Sequence, residues 1–596
     1  MTSEVANRGS ALGVRHEDEV VLQDSPVKGV NNRWGNTRKL DPGESPELLN
    51  VTLEDQSTPA KRDGFAEVES GHKPFAPPAL RGGLFAELDL GPNSRLMVAG
   101  FPGGNTYVTH SPDGPTWTYA GVVEDPTGTI ARDMDITSDR AKAIQGNGLL
   151  WLVTPGTGTP IHTMGPDGFW RDCGSGNLSP PTDAVDGVYM LARMWFIAGN
   201  RLYWSKLLPV QGDLLPEPSA FDLTNSTPSG SGGFIELSPE QGAEPVAIVG
   251  WREESLIIFF KNQIEEVVII PSDPLLSTRK RLEGNIGCGA RDSVVQVGDD
   301  IYFLDQYGQY RSLRRNQLGN DQGVISLPVS EAFRAEMPGN LNKQFMYRTQ
   351  AALLEEFLYV CFPSGSSESP DRWMVLDLGR GSITGPWSMS SSFSRLLVSD
   401  IEGGGFRMYG LGGETLSRVY RFFDGRYTDD GTAIQFRHTT KAFDMGIPQS
   451  DKTPAWYDVE FVGEVGATAS LEVRTSENDA WTTVATKAVE SKVEEDWPLL
   501  ETDFPLLAAD FPLVGSDPKI TSMKGCFDET NDGDLPLYAQ DLPIVEADLP
   551  IGAGGGIGAG RVVQWRVSNS TDESYFEEFG VRVAIRPNNI ELEVEP

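Results

Sequence analysis

The sequence predicts an all-β protein built around a β-propeller, and three observations carry that expectation. Short apolar or alternating runs, each the length of one strand, recur from about residue 80 to about residue 425. Turns containing Gly, Asn or Asp join many of them in pairs. Helical periodicity is nearly absent, with residues 329–336 the one short candidate.

The elements follow in chain order. Residues 1–75 are polar, broken by Gly and Pro, and carry few apolar points (Val30, Leu40, Leu48, Leu49, Val51), so they read as an extended N-terminal arm. The stretch to Asp24 has no apolar core, and a Sec-type signal is not expected. Residues 76–430 hold the propeller. Its strands include Arg95-Leu96-Met97-Val98-Ala99, Leu149-Leu150-Trp151-Leu152-Val153, Met194-Trp195-Phe196-Ile197-Ala198 and Ile301-Tyr302-Phe303-Leu304. Gly199-Asn200 and Gly298-Asp299-Asp300 are the hairpin turns after Ala198 and before Ile301. Roughly twenty strands exceed what one open sheet holds, so blades arranged radially are expected, about six of them, give or take one. Ser111-Pro112-Asp113-Gly114-Pro115-Thr116-Trp117 and Gly165-Pro166-Asp167-Gly168-Phe169-Trp170 share a Pro-Asp-Gly turn. They predict equivalent positions in two blades, each with a Trp plugging between blades.

Residues 431–596 read as a C-terminal β-sandwich, with strands beginning near Ala433, Trp456, Ala469, Trp481, Val562 and Phe579. Near its end, Gln564 and Arg566 alternate with Val563, Trp565 and Val567, the pattern of a half-buried strand. Residues 489–557 interrupt this domain with six copies of Asp, a large apolar residue, Pro, then Leu or Ile. The apolar residues are Trp497, Phe504, Phe511, Leu535, Leu542 and Leu549, spaced by seven within each group of three. A proline in every step excludes a coiled coil. Gly525, Asp528, Asn531, Asp532 and Gly533 lie between the groups, so the segment reads as one protruding hairpin with matched arms. Burying each large apolar residue fully is worth roughly 1.5–3 kcal/mol, which makes these six the candidates for subunit interaction.

Bulk properties narrow the function. With 596 residues the chain exceeds one compact core, and about two to four domains are expected. Glycine (65) and proline (41) are plentiful, as turn-rich β structure requires. A net charge of −36 opposes any embrace of nucleic acid and suits solubility or a conduit to which DNA does not stick. Apolar runs such as Leu256-Ile257-Ile258-Phe259-Phe260 are too short to span a bilayer, and a soluble protein is expected. Cys173, Cys288, Cys361 and Cys526 show no metal spacing, and Cys361 reads as core.

Catalytic constellations are not expected. There is no Gly-x-Ser-x-Gly, P-loop or His-Glu-x-x-His. His16, His72, His110, His162 and His438 are isolated, and pairs such as Glu253-Glu254 or Glu265-Glu266 are expected by chance among 85 acidic residues. The Asp113 turn resembles the Asp-box of sialidase-type propellers with a loop one residue short, and that box is a structural hairpin. A sialidase-like site would need converging arginines with a Tyr/Glu pair, and the sequence shows no such convergence. Asp528, Asp532 and Asp534 miss the EF-hand spacing, so a plain turn is preferred there to calcium. No cofactor and no metal are expected.

Several phrases, in order, resemble those of phage tail β-propeller proteins, the tubular tail hub or nozzle of short-tailed phages. They are Gly29-Val30-Asn31-Asn32, Leu40-Asp41-Pro42-Gly43-Glu44, Leu49-Asn50-Val51 and Lys61-Arg62-Asp63-Gly64-Phe65. Then come Phe196-Ile197-Ala198-Gly199-Asn200-Arg201-Leu202-Tyr203-Trp204-Ser205, Gly287-Cys288-Gly289-Ala290-Arg291-Asp292-Ser293, Tyr302-Phe303-Leu304-Asp305 and Gly385-Pro386-Trp387-Ser388. The last is Arg561-Val562-Val563-Gln564-Trp565-Arg566-Val567, and the Asp-apolar-Pro segment has no place in the pattern. The resemblance implies a structural virion protein that is not an enzyme. It would be made in the cytoplasm of the host bacterium and form a ring, a hexamer, below portal and adaptor proteins. The ring would hold tail fibre proteins and pass DNA without binding it. A receptor-binding fibre or spike, and a glycan-degrading propeller enzyme, stay open as alternatives.

Overall fold

A computed structural model describes residues 19–31, 40–68, 84–122, 141–172, 181–208, 232–237, 243–315, 324–329, 337–412, 418–443, 452–489, 519–526, 564–569 and 576–587, with short breaks inside several stretches. The chain divides into two compact units, residues 63–433 and residues 1–62 with 434–596. This differs from the expected boundaries of 1–75, 76–430 and 431–596, because described strands before residue 62 pair with C-terminal ones.

The 63–433 unit is a propeller made of antiparallel four-strand meanders. The first runs through Leu84–Leu88, Arg95–Gly100, Tyr107–Ser111 and Thr118–Val122, and the second through Lys142–Gly146, Leu149–Val153, His162–Met164 and Trp170–Asp172. The third comprises Asp186–Met190, Arg193–Ala198, Arg201–Trp204 and Gly233–Glu236. The fourth comprises Pro245–Trp251, Ser255–Phe260, Ile264–Val268 and Thr278–Glu283. The fifth comprises Val295–Val297, Asp300–Leu304, Tyr310–Arg315 and Val324–Pro328. These five are self-contained four-stranded sheets, against the expected count of about six.

Two more units follow the same plan. The sixth is Gln350–Leu354, Phe357–Phe362, Arg372–Asp377 and Ile383–Ser388. The seventh has Phe393–Ser399, Arg407–Gly412 and Val419–Phe422, and takes its fourth strand, Phe65–Glu67, from the other end of the unit's sequence. First strands of successive meanders lie side by side except between the fourth and fifth, and Phe393–Ser399 lies beside Leu84–Leu88, which closes the ring. Between the fourth and sixth meanders the short 3-10 turn Arg291–Ser293 takes the innermost place.

Apolar faces of neighbouring meanders pack on one another. Trp151 meets Phe196 (6.0 Å between ring centres), Phe259 meets Phe303 (5.0 Å) and Trp373 meets Phe422 (5.0 Å). Burial of such aromatic rings is the main source of cohesion in a radial fold. Gly199 turns between Ala198 and Arg201 at φ 53°, as the hairpin reading expects. The two Pro-Asp-Gly segments both join third to fourth strands, the first after Ser111 and the second after Met164, so they occupy equivalent positions. Trp170 begins the fourth strand of its meander, opposite Met164, while Trp117 falls outside what the structure describes, as do residues 330–336 of the helix candidate.

In the other unit one sheet orders Lys519–Cys526, Lys452–Gly463, Phe576–Pro587, Pro59–Lys61 and Val51–Leu53, with Glu19–Gln23 also paired to Phe576–Pro587. A second set orders Glu47–Leu49, Phe436–Thr439, Gln564–Asn569, Thr468–Arg474 and Thr482–Ala488. The chain passes from the second set to the first at Asn50, where φ is 54°. The Asn50 side chain donates to Gln435 O at 2.8 Å and accepts from Arg62 Nε at 3.1 Å. Beyond Gln564 the strand alternates as expected, with Trp565, Val567 and Asn569 buried and Arg566 and Ser568 part-exposed; Gln564 itself is buried, and its amide is satisfied by Arg474 and Thr440. Arg566 reaches Glu472 and Glu47 at 3.4 Å each, which ties the N-terminal strand to the C-terminal one.

The hairpin reading of the repeat needs correction. Lys519–Cys526 lies between the two groups of three and pairs along its whole length with Lys452–Gly463. The chain therefore returns to the sheet midway, and each group belongs to its own excursion, 490–518 and 527–563. Gly525 sits in the paired strand and not at a tip.

Candidate functional site

Among the described residues of the propeller, a network of charged groups lies along the innermost strands. Lys142 and Asp186 stand on the first strands of the second and third meanders, and their side chains pair at 2.8 Å. The other Asp186 oxygen accepts from Ile248 N, on the first strand of the fourth meander, at 3.2 Å. The next turn supplies Arg291 and Asp292, joined by two contacts of 3.0 and 3.1 Å. Arg291 also donates to Val185 O at 2.8 Å, across the fourth meander. From the seventh meander Arg395 lies 3.6 Å from Asp292 and donates to Ala141 O at 2.8 Å. Gln350, on the sixth, accepts from Leu396 N at 2.7 Å and donates to Ser394 O. Six meanders are thus laced together around the axis.

Local sequence explains how Arg291 and Asp292 get there. In Gly287-Cys288-Gly289-Ala290, a Cβ on Gly287 would sit 2.1 Å from Phe260 O, and one on Gly289 would sit 2.7 Å from Asp305 O. The glycines let the segment pass between the second strands of two meanders, with Cys288 N bonded to Phe260 O (2.8 Å) and Gly289 N to Leu304 O (2.8 Å). Ser293 then folds the turn, its hydroxyl donating to Ala290 O at 2.7 Å and accepting from Leu304 N at 3.0 Å. Replacing Gly287 with Ala is expected to destabilise this unit by at least about 1–3 kcal/mol, since the clash is with backbone and cannot be relieved by a rotamer. Thermal melting of the purified protein checks it.

The electrostatics are those of a self-paired cluster, with Asp186 buried, Asp292 18% exposed and Lys142 33% exposed. Burial works to raise the Asp292 pKa, but Arg291, Arg395 and Lys142 together hold the carboxyl well below the usual carboxylate range. It is an anion at all ordinary pH and cannot act as a general acid. Arg291 is 8% exposed and Arg395 12%, with carbonyls and Asp292 filling their donor positions. Arginines do converge here, then, but on a carboxylate of the same chain. Burial pushes the Cys288 thiol up to about 12 and Cys361 well above its ordinary value, so both are inert core thiols.

None of the six sequence-predicted residues, Trp497, Phe504, Phe511, Leu535, Leu542 and Leu549, lies among the described residues. Sequence reading passed over Lys142, Asp186 and Arg395 altogether and noted Arg291 and Asp292 only inside a phrase. The one available signal was that phrase, with a charged pair directly behind two glycines. Among the described residues, no group of three or more His, Cys, Asp or Glu could hold a metal ion. No helix among them is long and apolar enough to cross a membrane.

No family model matches the chain, and no curated protein does. Among solved structures it is similar to YCF48 from Cyanidioschyzon merolae, with 10% identity over 60% of this chain and 98% of that chain, and a TM-score of 0.34. It is also similar to an exo-beta-1,3-galactanase from Phanerochaete chrysosporium, in structures with beta-1,3-galactotriose and with galactose. Both show 12% identity over 88% of this chain and 100% of that chain, with TM-scores of 0.24 and 0.23. At these values the likeness says nothing of activity. The class, an all-β propeller protein with almost no helix among the described residues, is given by the chain's own sheets.

Proposed function

We propose that this protein is a structural component of a phage tail, a ring-forming nozzle or hub that continues the DNA exit path below portal and adaptor and helps to hold fibres. The observation that carries the reading is the self-paired charge among the innermost strands. A propeller that binds or cleaves a glycan needs an open axial mouth with uncommitted polar groups, and here cations hold both carboxylates and hydrogen bonds run between the innermost strands. Such a network stiffens a platform and does no chemistry, so the protein is read as not an enzyme. The ordered phrases support the same reading, since Lys61 to Phe65, Gly287 to Ser293 and Gln564 to Arg566 fall at junctions of the fold. Six copies in a closed ring, two sheets of the second unit forming a sandwich, and a virion location belong to this proposal. The −36 charge then keeps DNA from adhering during passage.

The mass of the purified protein in solution, paired with negative-stain images, tests it. A ring of about six copies with a central hole is the expected result. A stable trimer would replace this reading with a receptor-binding spike. Deleting 490–518 or 527–563 separately, with Lys519–Cys526 kept in its sheet, is expected to weaken assembly without unfolding the chain. Assembly unchanged by both deletions would remove the repeat from the interface.

A further inference from the structure

The rim and one face of the propeller carry two surfaces of opposite charge. The outermost strand of the fourth meander, Thr278–Glu283, exposes Thr278, Arg279, Lys280 and Arg281. Arg279-Lys280-Arg281 is the only run of three basic residues in a chain of net charge −36. The 3-10 turn before it, Pro274–Leu276, is fixed by Asp273, whose carboxylate accepts from Leu275 N at 3.2 Å. It leaves Leu275 60% and Leu276 63% exposed. Basic side chains alone would be explained as protection of a sheet edge, but two adjacent leucines held out in water would not.

The opposite surface is built from the turns between first and second strands in the fourth to seventh meanders. They expose Glu253, Glu254, Asp299, Glu355, Glu356 and Asp400, and Arg252, laid over the Trp251 ring, is the only cation within them. Trp251 Nε1 donates to Asp299 O at 3.3 Å and so joins the fourth turn to the fifth. The fourth meander's loop to its outer strand reaches the same face, with Ile269 N on Glu254 O at 2.7 Å. An acidic arc and a basic, leucine-tipped rim thus belong to one rigid body.

We propose that the Leu275–Arg281 rim of one copy docks on the acidic turns of a second copy. The inference rests on the ring reading above and names the surfaces that would make it. The two halves differ, so the contact is heterologous and each copy keeps one half free for the next until a ring closes. The charges give the contact its orientation and its salt dependence. An anionic membrane is the poorer occupant, because Asp273, Glu265, Glu266 and the acidic arc surround the cations.

Sedimentation velocity on the full chain at low and high salt tests this with two charge-reversed proteins. One carries Arg279→Glu, Lys280→Glu and Arg281→Glu, the other Glu253→Lys, Glu254→Lys, Glu355→Lys and Glu356→Lys. Each alone is expected to weaken self-association by about tenfold or more. Mixed, they are expected to assemble again, because each supplies the half that the other has lost. Leu275→Ser with Leu276→Ser is expected to weaken assembly at every salt concentration. Folding of each variant is checked by circular dichroism. A wild-type ring that the charge reversals leave intact, or variants that do not recover on mixing, would overturn this interface while the ring reading stands. A wild type that stays monomeric under all conditions, or binds phosphatidylglycerol vesicles through this rim without self-association, would overturn both.

Discussion

Asp292→Asn is expected to lower the stability of the 63–433 unit by about 3–5 kcal/mol, the cost of breaking a buried ion pair from one side. The substitution keeps the shape and removes the charge that compensates Arg291 and Arg395, which stay buried among carbonyls. Urea unfolding followed by tryptophan fluorescence measures the loss. A change within about 0.5 kcal/mol, the range of ordinary surface substitutions, would mean that water compensates the two arginines as well as Asp292 does. The effect has a pH signature. Because the folded-state pKa of Asp292 lies below its unfolded value of about 3.9, its contribution is fully present above that value. It is lost as pH falls further toward the folded-state value. The gap between wild type and variant should therefore be widest at neutral pH and narrow only below about pH 4.

Phe65→Ala is expected to cost a similar amount, about 3–5 kcal/mol, through a different route. Phe65 is fully buried, with ring centres 5.1 Å from Phe393, 5.2 Å from Tyr420 and 5.4 Å from Phe422. Its strand is the fourth member of the seventh meander, so the cavity opens at the place where the ring closes. The preceding Gly64 has no alternative residue, since a Cβ there would lie 1.9 Å from Thr428 O. Hydrogen exchange should show Val419–Phe422 losing protection while the second to fifth meanders keep theirs. Uniform loss across all meanders would mean that the ring unfolds as one unit with no seam.

The propeller was legible in the sequence wherever a strand carried its own signal. Leu149 to Val153 and Met194 to Ala198 are fully apolar strands, and Gly199-Asn200 announces its hairpin. The count was less legible, because the last meander borrows Phe65–Glu67 across more than three hundred residues and no local period shows that. The N-terminal segment read as an arm because its strands are short. Glu47–Leu49, Val51–Leu53 and Pro59–Lys61 have three residues each; the last two pair with each other, but Glu47–Leu49 and Pro59–Lys61 also gain partners from far along the chain. Lys61 and Arg62 look like surface residues, yet both are fully buried. The axial cluster was hidden for the same reason. Lys142, Asp186, Asp292 and Arg395 are brought together by closure of the ring, and charge in a sequence reads as solvated until its partners are known.

Strand exchange between distant segments also sets an order on biosynthesis. Glu19–Gln23 pairs only with Phe576–Pro587 among the described strands, so at roughly 5–20 residues per second it waits on the order of half a minute to two minutes for its partner. Phe65–Glu67 waits in the same way for Val419–Phe422. The second to fifth meanders can fold as they leave the ribosome, while the early strands stay open. Among the described strands, Phe576–Pro587 completes the sheet that Glu19–Gln23 begins, so a chain released before that strand is made would carry formed blades and an unfinished edge.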